Sequence, residues 1–178
     1  LGQLNLGNLK VAAILALPVL EPALTEISLF DERFVLVRPS EEADKPVPNR
    51  DKLGEMRLLL LEEGHCFRNQ ALSFCDMPSS QPREMLDGSS LSTLVQMVGV
   101  GMGVTLIPEM AVTVETRSAA VSVARFRDPQ PLRSIGMVWR KSSAMEAQLM
   151  QVADLVRECG VRLRQASGLT SLPGWRRD

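Results

Sequence analysis

The chain has 178 residues, of which 45% are hydrophobic and 23% are charged, as is typical of a soluble globular domain. Lys and Arg number 20 against 21 Asp and Glu, the net charge is -1, and aromatic residues make up only 4%. This balance argues against a basic nucleic-acid-binding surface and against a surface that stacks bases. No apolar run reaches the roughly 18–20 residues that cross a bilayer, so we expect no membrane partner.

The predicted compartment and the number of cysteines both argue against a secreted protein held together by disulfides. Residues 1–17 lack the basic region and small-residue cleavage site of a secretory signal, so we expect a cytoplasmic protein. Because the chain starts at Leu1, we also expect it to be a fragment whose N-terminal part is missing. Its three cysteines, Cys66, Cys75 and Cys159, do not form an even secreted framework. In a reducing compartment, a disulfide would be transient and regulatory.

Short β-rich runs alternate with helical periods along the chain, which predicts an α/β fold. A turn at Asp31 and Glu32 separates the second and third predicted strands, and the polar, proline-containing residues 39–50 predict a surface loop. The first strand is apolar throughout, which predicts burial on both faces. The predicted strands cover residues 11–17, 24–30, 34–38, 58–61, 104–107, 121–126 and 135–139.

Three helices are predicted. The first covers residues 67–74 and is broken by the prolines in 78–82, and the second starts at the N-cap Ser90 and stops at glycines 99, 101 and 103. The third covers residues 143–165 and precedes an unstructured tail at 172–178. Its apolar residues recur every three or four positions and predict one buried stripe, so Cys159 is interpreted as structural. The stripe consists of Met145, Leu149, Val152, Val156, Cys159 and Leu163.

The segment that carries chemistry is Gly-His-Cys-Phe-Arg-Asn-Gln-Ala-Leu-Ser-Phe-Cys, residues 64–75. Cys66 lies where a buried strand turns into a helix, so backbone N–H groups without helical partners point toward its sulfur. Together with His65 and Arg68, this helix start favours the thiolate, which is the form of cysteine that attacks oxidants.

The spacing of Cys66 and Cys75 then sets a geometric condition. If residues 66–75 are helical, a rise of about 1.5 Å per residue separates the two Cα atoms by roughly 13.5 Å. A disulfide requires about 7 Å or less, so the pair can bond only if the segment bends or unfolds. Such a bond would act as a switch. The alternative stays open, because free cysteines are often small buried hydrophobes and such a spacing arises easily by chance.

This segment resembles the redox segment of the OxyR family, the peroxide-sensing LysR-type transcription regulators. The pattern Gly-His-Cys-x-Arg-x-Gln-Ala with a second cysteine at this spacing is specific to that family. A glycine-containing segment, Gly101 to Pro108, recurs more widely in LysR-type effector domains. The resemblance covers residues 4–163 and includes Leu29-Phe30-Asp31-Glu32, Ser90-Leu91, Thr93-Leu94 and Arg133-Ser134-Ile135-Gly136.

The resemblance implies a two-lobed, periplasmic-binding-protein-like (type 2) α/β effector domain whose first lobe is incomplete. Residues 1–28 and 135–178 would form part of regulatory subdomain I, and residues 29–134 would form regulatory subdomain II with the redox segment. The winged helix-turn-helix domain would be absent from this chain, so promoter DNA would be bound only by that missing N-terminal domain. Asn69 stands where family members often carry an acid.

The resemblance also implies roles for individual residues. Cys66 would react with hydrogen peroxide and Cys75 would be its disulfide partner, with His65, Arg68 and Arg133 around the reactive thiol. Cellular thiols would reduce the disulfide again. The regulatory domain would form a homodimer or homotetramer. No cofactor or metal is implied, and the protein would signal stoichiometrically rather than act as an enzyme.

Two alternatives remain. A LysR-type effector domain that binds a small-molecule inducer in the cleft between its lobes would share the fold and residues 101–108, but it would not need both cysteines. A thiol peroxidase or oxidoreductase would need a dedicated catalytic scaffold, and the sequence contains no Cys-x-x-Cys motif.

Overall fold

The computed structural model describes residues 12–19, 21–62, 66–75 and 86–166, with the backbone alone at Cys66 and residues 163–166. The α/β fold predicted from the sequence is confirmed. The strands are β1 (Ala12–Ala16), β2 (Leu24–Pro39), β3 (Leu60–Leu61), β4 (Asp87–Gly88), β5 (Thr105–Pro108), β6 (Val121–Ala124) and β7 (Leu132–Arg140). The helices are α1 (Arg50–Glu55), α2 (Cys66–Phe74), α3 (Leu91–Gly99), α4 (Val112–Glu115) and α5 (Glu146–Ala166). The predicted helix break at 78–82 and tail at 172–178 lie outside the described residues.

The described chain divides into two compact units. Residues 33–131 form one unit, and the described residues up to Glu32 and from Leu132 onward form the other. The long strand β2 contributes its first part to one unit and its second part to the other. The predicted subdomain limits, with subdomain II at residues 29–134, stay a prediction about the functional lobes.

In the unit made of the chain's flanking segments, β7 lies between β1 and β2 in the strand order. β1 runs antiparallel to β7, with Ala12 opposite Trp139 and Ala16 opposite Ile135. The predicted burial of β1 on both faces is wrong, because its residues are half-buried and Ile14 is 54% exposed. The reason is its place at the end of the strand order, where β7 is its neighbour on one side.

The predicted stripe on α5 is wrong in part. Leu149, Ala153 and Gly160 are buried, whereas Met145, Val152 and Cys159 are exposed. At Gly160 the helix approaches the sheet so closely that an added Cβ would overlap the ring of Phe30. The buried face is therefore partly made of small residues. The predicted stripe missed them because it was based on large apolar side chains.

The predicted turn at Asp31 and Glu32 is also wrong, because β2 runs through both residues without a break. Their carboxylates are bound by side chains of β7. Arg133 Nε donates to Glu32 Oε2 at 2.8 Å, and Ser134 Oγ donates to Asp31 Oδ1 at 2.6 Å. These partners let two acidic residues continue a strand, even though Glu32 is buried.

In the unit of residues 33–131, the second part of β2 pairs antiparallel with β5 and β6. β3 and β4 pair in parallel, with Leu60 opposite Asp87 and Leu61 opposite Gly88. The predicted strand at 58–61 is thus shorter than expected, although Leu58 still forms a parallel bridge with Val104. In chain order α2 connects β3 to β4, and α3 connects β4 to β5.

Of the predictions made near helix ends, the cap at Ser90 is confirmed and the extent of the loop at 39–50 is wrong. Ser90 caps α3 as predicted, since its hydroxyl accepts a hydrogen bond from the Thr93 amide at 3.1 Å. The predicted surface loop at 39–50 is wrong at its end, because Arg50 begins α1. Asn49 caps that unpredicted helix by accepting from the Lys52 amide at 3.1 Å. No helix in the described part of the chain is long and apolar enough to cross a membrane.

Gly103 should tolerate no side chain. Its φ is 157°, and a Cβ there would overlap the carbonyl oxygen of Arg57, so we expect Gly103→Ala to lower the free energy of unfolding by about 2 kcal/mol or more. Gly101 is the matched control, since it has φ 78° but nothing within 4 Å of an added Cβ. Gly101→Ala should cost only the backbone strain of about 1 kcal/mol. Equal losses in urea unfolding would contradict this prediction.

Candidate redox site

Cys66 is the first residue of α2, and α2 follows β3 along the chain. The neighbouring parallel strand β4 is likewise followed by a helix start, where Ser90 caps α3. In α/β proteins, functional groups gather outside the carboxyl ends of parallel strands, where helix N-termini collect. The predicted position of Cys66 at a strand-to-helix transition is therefore confirmed, whereas His65 lies outside the described residues.

One face of α2 is packed into the core. Phe67 contacts Phe34 edge to face, with ring centroids 5.1 Å apart and an interplanar angle of 86°. Ala71 and Leu72 are buried in a second apolar cluster, and Cys75, directly after the helix, belongs to the same cluster. The spacing of these residues gives α2 one continuous apolar side. The helix is thus anchored along its whole length.

Arg68 ties the first turn of α2 to the strands beneath it. The residue is only 8% exposed, and one terminal nitrogen donates to the Leu61 carbonyl at 2.8 Å and to Asp87 Oδ1 at 2.5 Å. Asp87 lies on β4, so the contact joins α2 to the ends of both parallel strands. Arg68 therefore places a positive charge on the same helical turn as Cys66, but part of that charge is neutralised by Asp87.

Cys75 is 6% exposed and follows the last helical residue, Phe74. Its amide donates to the Ala71 carbonyl at 3.2 Å, so helical hydrogen bonding extends to Cys75 itself. A continuous helix from residue 66 to 75 keeps the two Cα atoms roughly 13.5 Å apart. The described conformation therefore does not bring the two cysteines together, and it holds the Cys75 side chain in the core.

Arg133 lies on β7, in the other unit. Its Nε and a terminal nitrogen lie 2.8 and 2.6 Å from Glu32 Oε2. Since the Glu32 side chain is 5% exposed, this ion pair compensates a buried carboxylate. The placement of Arg133 beside the reactive thiol stays a prediction.

Cys159, on α5, is exposed, so its interpretation as a buried structural residue is wrong. Three further residues, which pair with the predicted arginines or with α2, were missed from the sequence. Asp87 binds Arg68 from 19 positions away, Glu32 binds Arg133 from 101 positions away, and Arg50 binds the Phe74 carbonyl from 24 positions away. No local pattern pairs residues over such distances. Only the capping residue Asn49 could have indicated the helix that carries Arg50.

The LysR substrate-binding domain family matches residues 12–160, which is most of the chain. The chain belongs to the LysR substrate-binding domain family. Among the curated relatives of this LysR-family chain, a probable hydrogen peroxide-inducible genes activator of Streptomyces viridosporus is 44% identical over 82% of the chain and 48% of its own length. The DNA-binding transcriptional dual regulator OxyR of Escherichia coli K12 is 38% identical over 88% of the chain and 52% of its own length.

Solved structures of the family agree in fold. A hydrogen peroxide-bound cysteine mutant of OxyR from Corynebacterium glutamicum superposes with a TM-score of 0.81 and 29% identity, over 92% of this chain and 53% of that one. The reduced OxyR regulatory domain of Pseudomonas aeruginosa gives 0.72 and 34%, over 84% and 73%. The predicted OxyR resemblance and the type 2 periplasmic-binding-protein-like fold are confirmed. The chain spans about half the length of the curated relatives it matches.

The contribution of Arg133 to stability can be tested through its ion pair with Glu32. We expect Arg133→Ala to lower the free energy of unfolding by about 2 kcal/mol, because the Glu32 carboxylate loses the guanidinium that compensates its burial. Arg140 is the control, being exposed on the same strand, and Arg140→Ala should change stability by less than about 0.5 kcal/mol. If urea unfolding shows equal effects, the pair does not stabilise this unit.

Proposed function

We propose that this chain is the redox-sensing regulatory domain of a LysR-type transcriptional activator of the oxidative stress response. The switch is a reversible Cys66–Cys75 disulfide that forms on reaction with hydrogen peroxide. One observation carries the proposal: the two cysteines stand at opposite ends of a short helix that must unwind before they can bond. The names of the relatives, which are peroxide-inducible activators, support the choice of oxidant.

The chemistry balances in two steps. The Cys66 thiolate attacks one oxygen of hydrogen peroxide, the O–O bond breaks, and hydroxide leaves as Cys66 becomes a sulfenic acid. The Cys75 thiol then attacks that sulfur, the S–O bond breaks, and water leaves as the disulfide forms. Two cellular thiols reduce the disulfide by exchange and are themselves oxidised. Each cycle consumes one peroxide molecule and produces one change of conformation, and we propose that this change, rather than peroxide removal, is the role of the domain.

The start of α2 suits the first step. Backbone N–H groups in the first helical turn have no partners within the helix, and they stabilise a nearby negative charge. Arg68 adds a cation on the same turn, and His65 precedes Cys66 directly in the sequence. We assign His65, Arg68 and Arg133 to the surroundings of the reactive thiol, where they would favour the thiolate.

The second step couples chemistry to shape. Unwinding α2 releases Ala71, Leu72 and Cys75 from the core cluster and disturbs the Phe67–Phe34 contact. Because Arg68 on α2 pairs with Asp87 on β4, unwinding of α2 would also affect β4 and the helix that follows it, α3. Because α2 has only nine residues, it can open locally without global unfolding. Oxidation would therefore reshape the surface formed by α2 and the start of α3.

The remaining assignments belong to the parent protein. Residues 29–134 would act as the redox-carrying subdomain and the flanking segments as the other lobe. A separate winged helix-turn-helix domain would bind promoter DNA. The regulatory domain would form a homodimer or homotetramer. Hydrogen peroxide and cellular thiol reductants would be its small-molecule partners, and the cytoplasm its compartment.

The two cysteines should have different roles. We expect Cys66→Ser to abolish disulfide formation and any sulfenic acid at residue 66, because serine has no sulfur atom that could attack peroxide. Cys75→Ser should still give a sulfenic acid at Cys66, which then over-oxidises. Mass spectrometry after a small excess of peroxide, with a sulfenic-acid probe, distinguishes the two products.

Cys159→Ser is the matched control and should leave the Cys66–Cys75 disulfide unchanged, since Cys159 is exposed but lies in the middle of α5 and not at a helix start. A principal disulfide that includes Cys159 would contradict the assignment. If both cysteine variants kept the full transcriptional response, the domain would instead sense a small-molecule inducer.

Oxidation should also change backbone protection. We expect amide hydrogen exchange to speed up in residues 67–75 of the oxidised protein, because the helical hydrogen bonds, including that from the Cys75 amide to Ala71, cannot persist across the disulfide. The amides of β5, in the core of the same unit, are the internal control and should not change. Equal protection of α2 in both states, with the disulfide verified by mass, would refute the coupling.

A further inference from the structure

The far end of α2 is held by a residue that the redox segment does not contain. We propose that Arg50 is a positioning residue that clamps the C-terminal end of α2, opposes formation of the Cys66–Cys75 disulfide, and thereby sets how strongly the switch favours its reduced state. The redox consequence rests on the proposed function, whereas the clamp itself is a property of the reduced fold.

The clamp consists of three contacts on two consecutive residues. Arg50 Nε donates to the carbonyl oxygen of Phe74, and a terminal nitrogen donates to the carbonyl oxygen of Ser73 at 2.7 Å. The guanidinium carbon also lies 5.5 Å from the centroid of the Phe74 ring. The Arg50 side chain therefore contacts both the backbone and the ring of Phe74, which precedes Cys75.

The chemistry of these contacts suits a helix end. The last four carbonyl groups of a helix have no partners within it, and the C-terminal end carries partial negative charge. A guanidinium offers several donors in a rigid planar fork and stacks on aromatic faces. Arg50 can satisfy two carbonyls and cover a ring at once, which a single ammonium cannot match. Its own backbone is fixed at the start of α1, next to the cap Asn49.

The contacts of Arg50 also restrain Cys75, because they act on the preceding residue, Phe74. The Phe74 ring packs against Phe126, with centroids 5.3 Å apart, and Phe126 belongs to the same buried cluster as Cys75. To approach Cys66, Cys75 must leave that cluster and carry Phe74 with it. Phe74 and Arg50 also line a groove of about 1410 Å³, formed with residues 43–49 and 122–130. The contacts that must break for the helix end to leave are therefore those of Arg50 at the surface and those of Phe74 and Cys75 with the buried cluster.

The clamp should affect one step of the reaction and not the other. Arg50 grips the end of α2 opposite Cys66, so the attack of Cys66 on peroxide does not require the clamp to open. The attack of Cys75 on the sulfenic acid does require it. Because the contacts exist only while the helix end is in place, removing them shifts the equilibrium toward the disulfide.

The first experiment measures the clamp without peroxide. In the full chain with Cys66→Ser and Cys159→Ser, Cys75 is the remaining thiol among the three cysteines of the sequence, and its alkylation by iodoacetamide reports how often the helix end opens. We expect Arg50→Ala to raise that rate about fivefold, given two charged hydrogen bonds at an exposed site. Arg50→Lys should fall in between. Hydrogen exchange in β5 should stay unchanged, which separates local opening from global unfolding.

Arg117 provides the matched control. It is exposed, and its Nε donates to the Thr113 carbonyl of α4 at 2.9 Å, so it makes the same kind of contact at another helix of the same unit. Arg117→Ala should leave Cys75 alkylation unchanged. Equal rates for Arg50→Ala and Arg117→Ala would overturn the clamp, as would a rise in β5 exchange that accounts for the faster alkylation.

The second experiment measures the redox consequence in the chain with all three cysteines. We expect Arg50→Ala to stabilise the disulfide about fivefold against a glutathione buffer, which lowers the midpoint potential by about 20 mV. The rate of sulfenic acid formation at Cys66 should stay the same. Faster alkylation with an unchanged potential would overturn the proposal for Arg50. Failure of the unsubstituted chain to form the disulfide would instead overturn the proposed function, while the alkylation result would still decide the clamp.

Discussion

A helix rises by about 1.5 Å per residue, and a disulfide spans about 7 Å at most between Cα atoms. These two lengths govern how the redox segment can work, because helical hydrogen bonding runs from Cys66 through the Cys75 amide. The helix keeps the thiols apart, and the disulfide excludes the helix. Every contact that stabilises α2 therefore also stabilises the dithiol, and in the proposed switch these contacts together would set the threshold for oxidation.

The contacts differ between the two ends of α2. At the first turn, Arg68 is 8% exposed and bound to Asp87 and a strand carbonyl, so breaking this tie would leave a charge poorly solvated. At the last turn, Arg50 is exposed, and water can replace its bonds to Ser73 and Phe74. The contacts of Arg50 thus cost less to break than those of Arg68.

The parts of this arrangement that the sequence predicts are local. The spacing of the cysteines, the helix between them and the cap at Ser90 each depend on a few adjacent residues, and the structure agrees with them. The errors arise where distant residues decide the outcome. Asp31 and Glu32 look like a turn until Ser134 and Arg133 are placed beside them. The stripe on α5 misleads because close contact through small residues, as at Gly160, sets the buried face.

The proposed choice of Cys75 as disulfide partner follows from the same geometry. Cys159 is exposed and Cys75 is buried, so accessibility alone would favour Cys159 over the proposed partner. Cys75 has the advantage of a short tether, since closing a loop of about ten residues takes only about 10–100 ns once the chain is free. In the proposed second step, release of the helix end would therefore be slower than encounter of the two sulfurs. In the proposed switch, selectivity for Cys75 would then come from the tether, and the timing of the response would come from the contacts that hold residues 73–75 in place.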